Sequence, residues 1–423
     1  MKQFIQNTKE LANTTSRKHI LEIAEAAYNA IDTEGVVRKN VRVQEDKLTV
    51  GEQEFDLKKF NRVRLIGFGK ASCLAIAELE RIFGARVTDG IVIDKKAHTC
   101  EVVEVFEGSH PRPSAINVEA SGKIVELAKG GNEKDLVVVV VSGGGSSLLC
   151  FPSSECDQGI KLYDRFLGSG GTISELNTVR KHISLLKGGG LAKLLYPATV
   201  ISLIFSDVPG DNYFNVASGP TYKDKTTTED ARAVLEKYNC AEDFKLMETP
   251  KEDYIFEKVY NIPLVSNTIA IKAMKEKAEE LGYDAFDLGG ELYDFPEQVL
   301  SKFNEVATPG SVVVGGGEPR IIVKGTKGTG GRNQLVALTA LKTLGPKDSF
   351  LAFASDGIDN KSVFAGAIAD AYVLKLIKEK NANIDEFIAK LDTEGVLGEV
   401  HSLLLTGPTG SNVSDLMVMI REK

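Results

Sequence analysis

Six short aliphatic runs, each ending in a turn rich in Gly, Ser or Asp, constrain this 423-residue chain more than any other feature. Residues 63–66 lead into Gly67-Phe68-Gly69-Lys70, and 136–141 into Ser142-Gly143-Gly144-Gly145-Ser146-Ser147. Residues 200–205 lead into Ser206-Asp207-Val208-Pro209-Gly210-Asp211, and 312–314 into Gly315-Gly316-Gly317-Glu318. Residues 350–354 lead into Ser355-Asp356-Gly357-Ile358-Asp359, and 403–405 into Thr406-Gly407-Pro408-Thr409-Gly410. Unbroken aliphatic strands are what a parallel sheet covered on both faces requires. Helical segments often follow the turns, and strands alternating with helices imply α/β layering. In such sheets the loops at the strand carboxyl ends gather along one edge, where ligands bind. The edge here would carry Lys70, Ser146, Asp207, Glu318 and Asp356.

The chain is long enough for two domains. The charged, helix-prone stretch 223–260 puts the boundary within 224–253, giving domains 1–240 and 241–423, with a second α/β unit starting at Pro263-Leu264-Val265. An amphipathic helix over 16–31, capped by Ser16, opens the chain and is free to pack on either domain. The polar stretch 41–57 has room for a short hairpin.

Composition excludes several function classes. The net charge is −8, against the basic balance of a nonspecific nucleic-acid binder. The longest aliphatic run is too short to span a bilayer, and residues 1–15 lack the apolar core of a signal peptide. Five Cys, an odd number without a Cys-x-x-Cys pair, read as free thiols in a cytoplasmic protein. His and Cys spacing offers no zinc site.

The strand-end loops carry the chemistry. Gly67-Phe68-Gly69-Lys70-Ala71-Ser72 stands where a dinucleotide fingerprint would, but Ser72 occupies the third glycine position. It fails as a P-loop too, with Arg64 in place of the first Gly and Ala71 after the Lys. What remains is a lysine at a helix start, a setting that favours anions. Ser142, Gly143, Gly144, Gly145, Ser146 and Ser147 form a better cradle, because glycines let backbone N–H groups approach an anion and the hydroxyls add donors. No Gly-x-Ser-x-Gly elbow is present. Arg180 and Lys187, seven apart, would share a helix face able to hold phosphate or carboxylate. The loop 325–334 sets Arg332 at a helix start, where it can meet charge on a moving phosphoryl group. Asp207, Glu318, Asp356 and Asp359 are loop acids; with phosphates nearby they suit Mg²⁺, or one acts as base toward a hydroxyl. His110, a lone His in a rigid turn, has at most a minor contact role.

These motifs resemble the glycerate 2-kinase family, whose C-terminal part is called MOFRL. The likeness runs in order through 69–72, 108–113, 142–147, 177–192, 206–221, 317–318, 330–334, 356–370 and 406–415. It departs at Leu335, at Asn360-Lys361-Ser362 and at Arg112. The resemblance implies two Rossmann-like domains with mostly parallel sheets and an active site in the cleft between them. It implies ATP-dependent phosphorylation of D-glycerate at the 2-hydroxyl with a divalent metal such as Mg²⁺, and makes Lys70, Asp207 and Arg332 central.

The reading that follows places Ser142–Ser147, Lys70, Arg180 and Lys187 on the nucleotide. It gives Asp207 and Glu318 to the metal, and Lys70, Asp207, Arg332 and Asp356 to catalysis, in a monomer or homodimer. Which loop serves which ligand stays open. A hydroxypyruvate reductase using NAD(P)H, a kinase of another small sugar acid and a noncatalytic metabolite-binding protein are the alternatives. The broken fingerprint counts against the reductase.

Overall fold

The computed structural model describes residues 2–167, 171–208, 210, 212–241, 244–323 and 328–423. Pro209, Asp211 and residues 325–327 of the expected loops lie outside them. The chain forms two compact units. One comprises 36–208 and 212–264 and is called here the parallel unit; the other comprises 2–35, 210 and 265–423 and is called the mixed unit. This division differs from the expected cut at 240/241. The stretch around 240 is no linker, because Leu235, Cys240 and Phe244 are buried against Leu162, Phe166 and Val179.

The parallel unit opens with three short antiparallel strands, β1 (Val41–Gln44), β2 (Lys47–Val50) and β3 (Gln53–Asp56), where a hairpin was expected. Its main sheet contains β4 (Arg62–Phe68), β5 (Val87–Asp94), β6 (Glu104–Glu107), β7 (Asp135–Ser142), β8 (Thr199–Phe205) and β9 (Val259–Val265). The order is β6-β5-β4-β7-β8-β9, so residues 263–265 close this sheet rather than start the second. The pairings from β6 to β8 are all parallel. Every residue of β7 is buried, the pattern of a strand covered on both faces. The chain moves outward from β4 through β5 to β6 and returns on the other side as β7, leaving a switch point between β4 and β7. Phe68 pairs with Val141 and Ser142 with Phe205, so the loops beginning at Gly69, Gly143 and Ser206 leave the same edge side by side.

The mixed unit contains β10 (Asp284–Asp287), β11 (Ser311–Gly317), β12 (Asp348–Ala354), β13 (Gly366–Asp370), β14 (Leu403–Leu404) and β15 (Asp415–Arg421). Their order is β10-β11-β15-β12-β13-β14. Among these strands β10 and β11 pair in parallel and the other pairings are antiparallel. The α/β class holds, but the parallel expectation fails for the runs 350–354 and 403–405. The cause is burial: helix Thr15–Ile31 packs on β12 and β15, helix Arg332–Ala340 packs on β12 and β13, and β12 and β13 are buried along their length. An antiparallel strand covered on both faces loses the polar alternation that would betray it.

The opening helix is capped by Thr14, whose side chain accepts the N–H of Arg17; Ser16 is buried instead and bonds Ser349. Arg17 is itself buried and forks onto Asp370 at 2.6 and 3.0 Å. Cys150 and Cys156 form a disulfide with Cα atoms 5.6 Å apart, which corrects the expectation of five free thiols; Cys73, Cys100 and Cys240 are in no disulfide. No helix among the described residues is long and apolar enough to cross a membrane.

Candidate functional site

In the parallel unit the loops after β4 and β7 are locked together. Lys70 N–H donates to Gly143 O at 2.9 Å, and Ala71 N–H to Ser142 Oγ at 3.2 Å. Gly69 has φ +118°, and a Cβ there would lie 2.4 Å from Ser142 O, so only glycine allows the contact. Asp207 leans over the next loop residue: a Cβ on Gly143 would come 2.1 Å from its Oδ2. On Gly144, at φ +79°, a Cβ would lie 3.1 Å from Lys70 Cε and 3.2 Å from His110 Nε2. Lys70, His110 and Asp207 therefore converge on two adjacent glycines at the switch point. A short helix, Gly145–Leu148, follows.

The field at this point is positive. Burial, then Lys70, Lys95 and Arg180, bring the His110 imidazole down to about 4, so it is neutral near pH 7. The setting of His110 between Ser109 and Pro111 announces a rigid turn but not the neighbours that it meets. Ser142 is a structural acceptor. Ser147 Oγ donates to Gly144 O at 3.1 Å, and Ser146 Oγ lies 3.0 Å from Ser218 Oγ, which donates to Asn177 Oδ1.

Arg180 and Lys187 do not share a helix face. The helix Ile173–His182 stops because Ser184 Oγ takes the N–H groups of Leu186 and Lys187. Lys187 is 4 % exposed, and its Nζ donates to Glu155 at 2.7 Å and to Leu149 O at 2.8 Å. That ammonium is committed to a buried pair. Arg180 still reaches the wall of one small cavity with Lys187 and Ser147.

The mixed unit holds a cavity of about 1090 Å³, lined among others by Glu318, Arg320, Arg332, Asp356, Asp359 and Asp415. Arg332 is the first residue of its helix. Its guanidinium donates to Asp415 Oδ2 at 2.8 Å and lies 3.8 Å from Glu318. Asn333 Nδ2 donates to the other Asp415 oxygen at 2.7 Å. Asp359 accepts the backbone N–H of Asn333 at 3.1 Å and of Gln334 at 2.9 Å, which uses the donors of the helix start. The cation facing the cavity from this helix is thus the Arg332 side chain, not the helix terminus. Burial, reinforced by Asp415 and opposed by the bonds from Gln334 and Asn333, raises the Asp359 carboxyl to about 7. Burial also raises Asp415, against the pull of Arg332. Asp356 turns inward on its own loop, accepting the N–H of Ile358 at 3.0 Å.

The acids expected to bind metal fall in different units, Asp207 in the parallel one and Glu318 in the mixed one. Among the described residues no group of three or more His, Cys, Asp or Glu is placed to hold a metal ion. Asp415 was missed as a site residue because it begins a strand. Since β15 runs antiparallel between β11 and β12, pairing Asp415 with Gly317 and Ala354, its first residue stands at the edge where those strands end.

The model of a domain of unknown function, DUF4147, matches residues 19–247, and that of the MOFRL family matches 311–415. A glycerate 2-kinase of Pyrococcus horikoshii is 35 % identical over 95 % of this chain and 96 % of its own. The crystal structure of a glycerate kinase from Thermotoga maritima superposes with a TM-score of 0.81 at 30 % identity, covering 96 % of this chain and 99 % of that one. A protein of Agrobacterium vitis that carries a hydroxypyruvate reductase name is 33 % identical over 85 % of this chain and 87 % of its own. With a kinase relative matched along nearly its whole length and a kinase structure of the same fold, the chain belongs to the glycerate 2-kinase family.

Proposed function

We propose that this chain transfers the terminal phosphoryl group of ATP to the 2-hydroxyl of D-glycerate, giving 2-phosphoglycerate and ADP. The observation that carries the reading is the convergence of Lys70, His110 and Asp207 on Gly143 and Gly144 at the sheet switch point. Glycines free of side chains, a lysine and a positive field form a cradle for phosphate oxygens. Lys70 and the 143–147 loop hold the donor's phosphates. Asp207, beside that loop, orients the substrate hydroxyl and takes its proton. Arg332 offers a cation to the phosphoryl group in transit, and Asp415 holds that cation in place. Positioning and electrostatics dominate such transfers, which leaves little covalent work for the protein.

Mg²⁺ carried by the nucleotide would neutralise phosphate charge. Such an ion, borne by phosphates, would take one carboxylate from the chain, and Asp207 stands beside the glycine loop to supply it. A donor of this kind places the enzyme in the cytoplasm, where ATP is. The reductase alternative needs a nicotinamide site. Instead, Ser72 occupies the third fingerprint position, and its hydroxyl bonds back to Gly69 O at 2.7 Å.

Lys70→Ala tests the reading of the cradle. The KM for ATP should rise about tenfold, as loss of a charge-assisted contact implies, with the KM for glycerate steady. If only the glycerate KM moved, Lys70 would belong to the acceptor. Robust oxidation of NAD(P)H by hydroxypyruvate, followed at 340 nm without ATP, would favour the reductase instead.

A further inference from the structure

Arg180 lies in the last turn of the helix Ile173–His182 and lines a cavity of about 30 Å³ with Ser146, Ser147 and Tyr163. The other charged groups of that wall are matched. Lys187 and Glu155 pair at 2.7 Å, both nearly buried, and Arg112 pairs with Asp164 at 2.7 Å. Among the described residues Arg180 has neither a hydrogen bond nor an ion pair. It is half-buried, and burial works against its charge. A desolvated guanidinium without a counter-charge is costly unless a ligand supplies one. Its planar fork matches a carboxylate. The enclosed space is far too small for a triphosphate, so only the end group of a small acid would reach Arg180 there. Ser146 and Ser147 belong to the glycine loop, so an acid anchored on Arg180 would lie beside the phosphate cradle of the same unit.

We propose that Arg180 is the carboxylate anchor of the acceptor and that this cavity selects small 2-hydroxy acids over their uncharged analogues. The proposal rests on the kinase reading, and moves Arg180 from the nucleotide, where the sequence placed it, to the acceptor.

Steady-state kinetics of the full chain with D-glycerate and its amide, glyceramide, test it. The wild type should use glycerate at least tenfold better than the amide, by kcat/KM. Arg180→Gln should raise the KM for glycerate about tenfold to a hundredfold, leave the KM for ATP within about threefold, and erase the preference over the amide. Arg180→Lys should fall between, keeping charge but losing the fork. A risen ATP KM with an unchanged glycerate KM would overturn the proposal. So would a wild type indifferent between acid and amide, a comparison that needs no variant. Absence of any ADP formation with glycerate would instead remove the kinase reading, and this proposal with it.

Discussion

The two sheets reach a polar edge by different routes. In the parallel unit, neighbouring strands from β6 to β8 run the same way, so loops that follow strands collect at one rim. Lys70, residues 143–147 and Asp207 all follow strands. In the mixed unit β15 runs against its neighbours, so one rim combines the ends of β11 and β12 with the beginning of β15. Its central carboxylate, Asp415, therefore precedes a strand. The parallel rim is a cationic loop built around absent side chains. The mixed rim is an arginine held between acids, at a helix start whose backbone donors are already taken. One arrangement offers a cradle for an anion at rest, the other a single aimed charge.

That contrast predicts different kinetic signatures. The largest effect should come from Arg332→Lys, with kcat down about a hundredfold or more if the guanidinium meets transition-state charge. An unchanged kcat would remove the contrast. Asp415→Asn should lower kcat about tenfold with small changes in either KM, and should add nothing once Arg332 is already Ala. Effects that multiply in the double variant would show that Asp415 acts independently of Arg332. In the parallel unit, Gly143→Ala forces a Cβ into the Asp207 carboxylate. It should raise the KM for ATP by about the factor seen with Lys70→Ala, since both disturb one cradle. Because the same Cβ displaces Asp207, kcat should fall as well; an unchanged KM for ATP would break the assignment.

The smallest effect concerns stability. The folded-state value of Asp359, about 7, lies above its ordinary 3.8. The folded state therefore holds the proton more tightly, and this contribution is complete below about pH 4 and lost as pH rises to about 7. The melting temperature should carry a downward component over that interval, and Asp359→Asn should flatten it. A profile identical in the two proteins would show that the carboxyl titrates normally.

The parallel unit was largely legible because its signals are local. Aliphatic runs mark buried strands, glycines mark close approaches, and register then brings Gly69, Gly143 and Ser206 together without further information. Strand direction in the mixed unit was not legible. A buried antiparallel strand such as β12 has the same aliphatic composition as a parallel one, and its direction is set by the partner it meets far along the chain. The Arg180–Lys187 helix face failed for a local reason that spacing hides: the Ser184 hydroxyl captures the backbone donors that would have continued the helix. The surroundings of His110 were not legible because nothing in its own turn reveals Lys70 and Gly144 beside it. The Cys150–Cys156 bond escaped because a count of thiols says nothing about the bend that brings residues six apart together.

The most direct test is to incubate the purified chain with ATP, Mg²⁺ and D-glycerate and follow the products by phosphorus NMR. ADP appearing together with the phosphomonoester signal of 2-phosphoglycerate is the expected result. A phosphorus spectrum that stays that of ATP under every divalent cation tried, or a phosphoryl group arriving at the 3-hydroxyl, would contradict it.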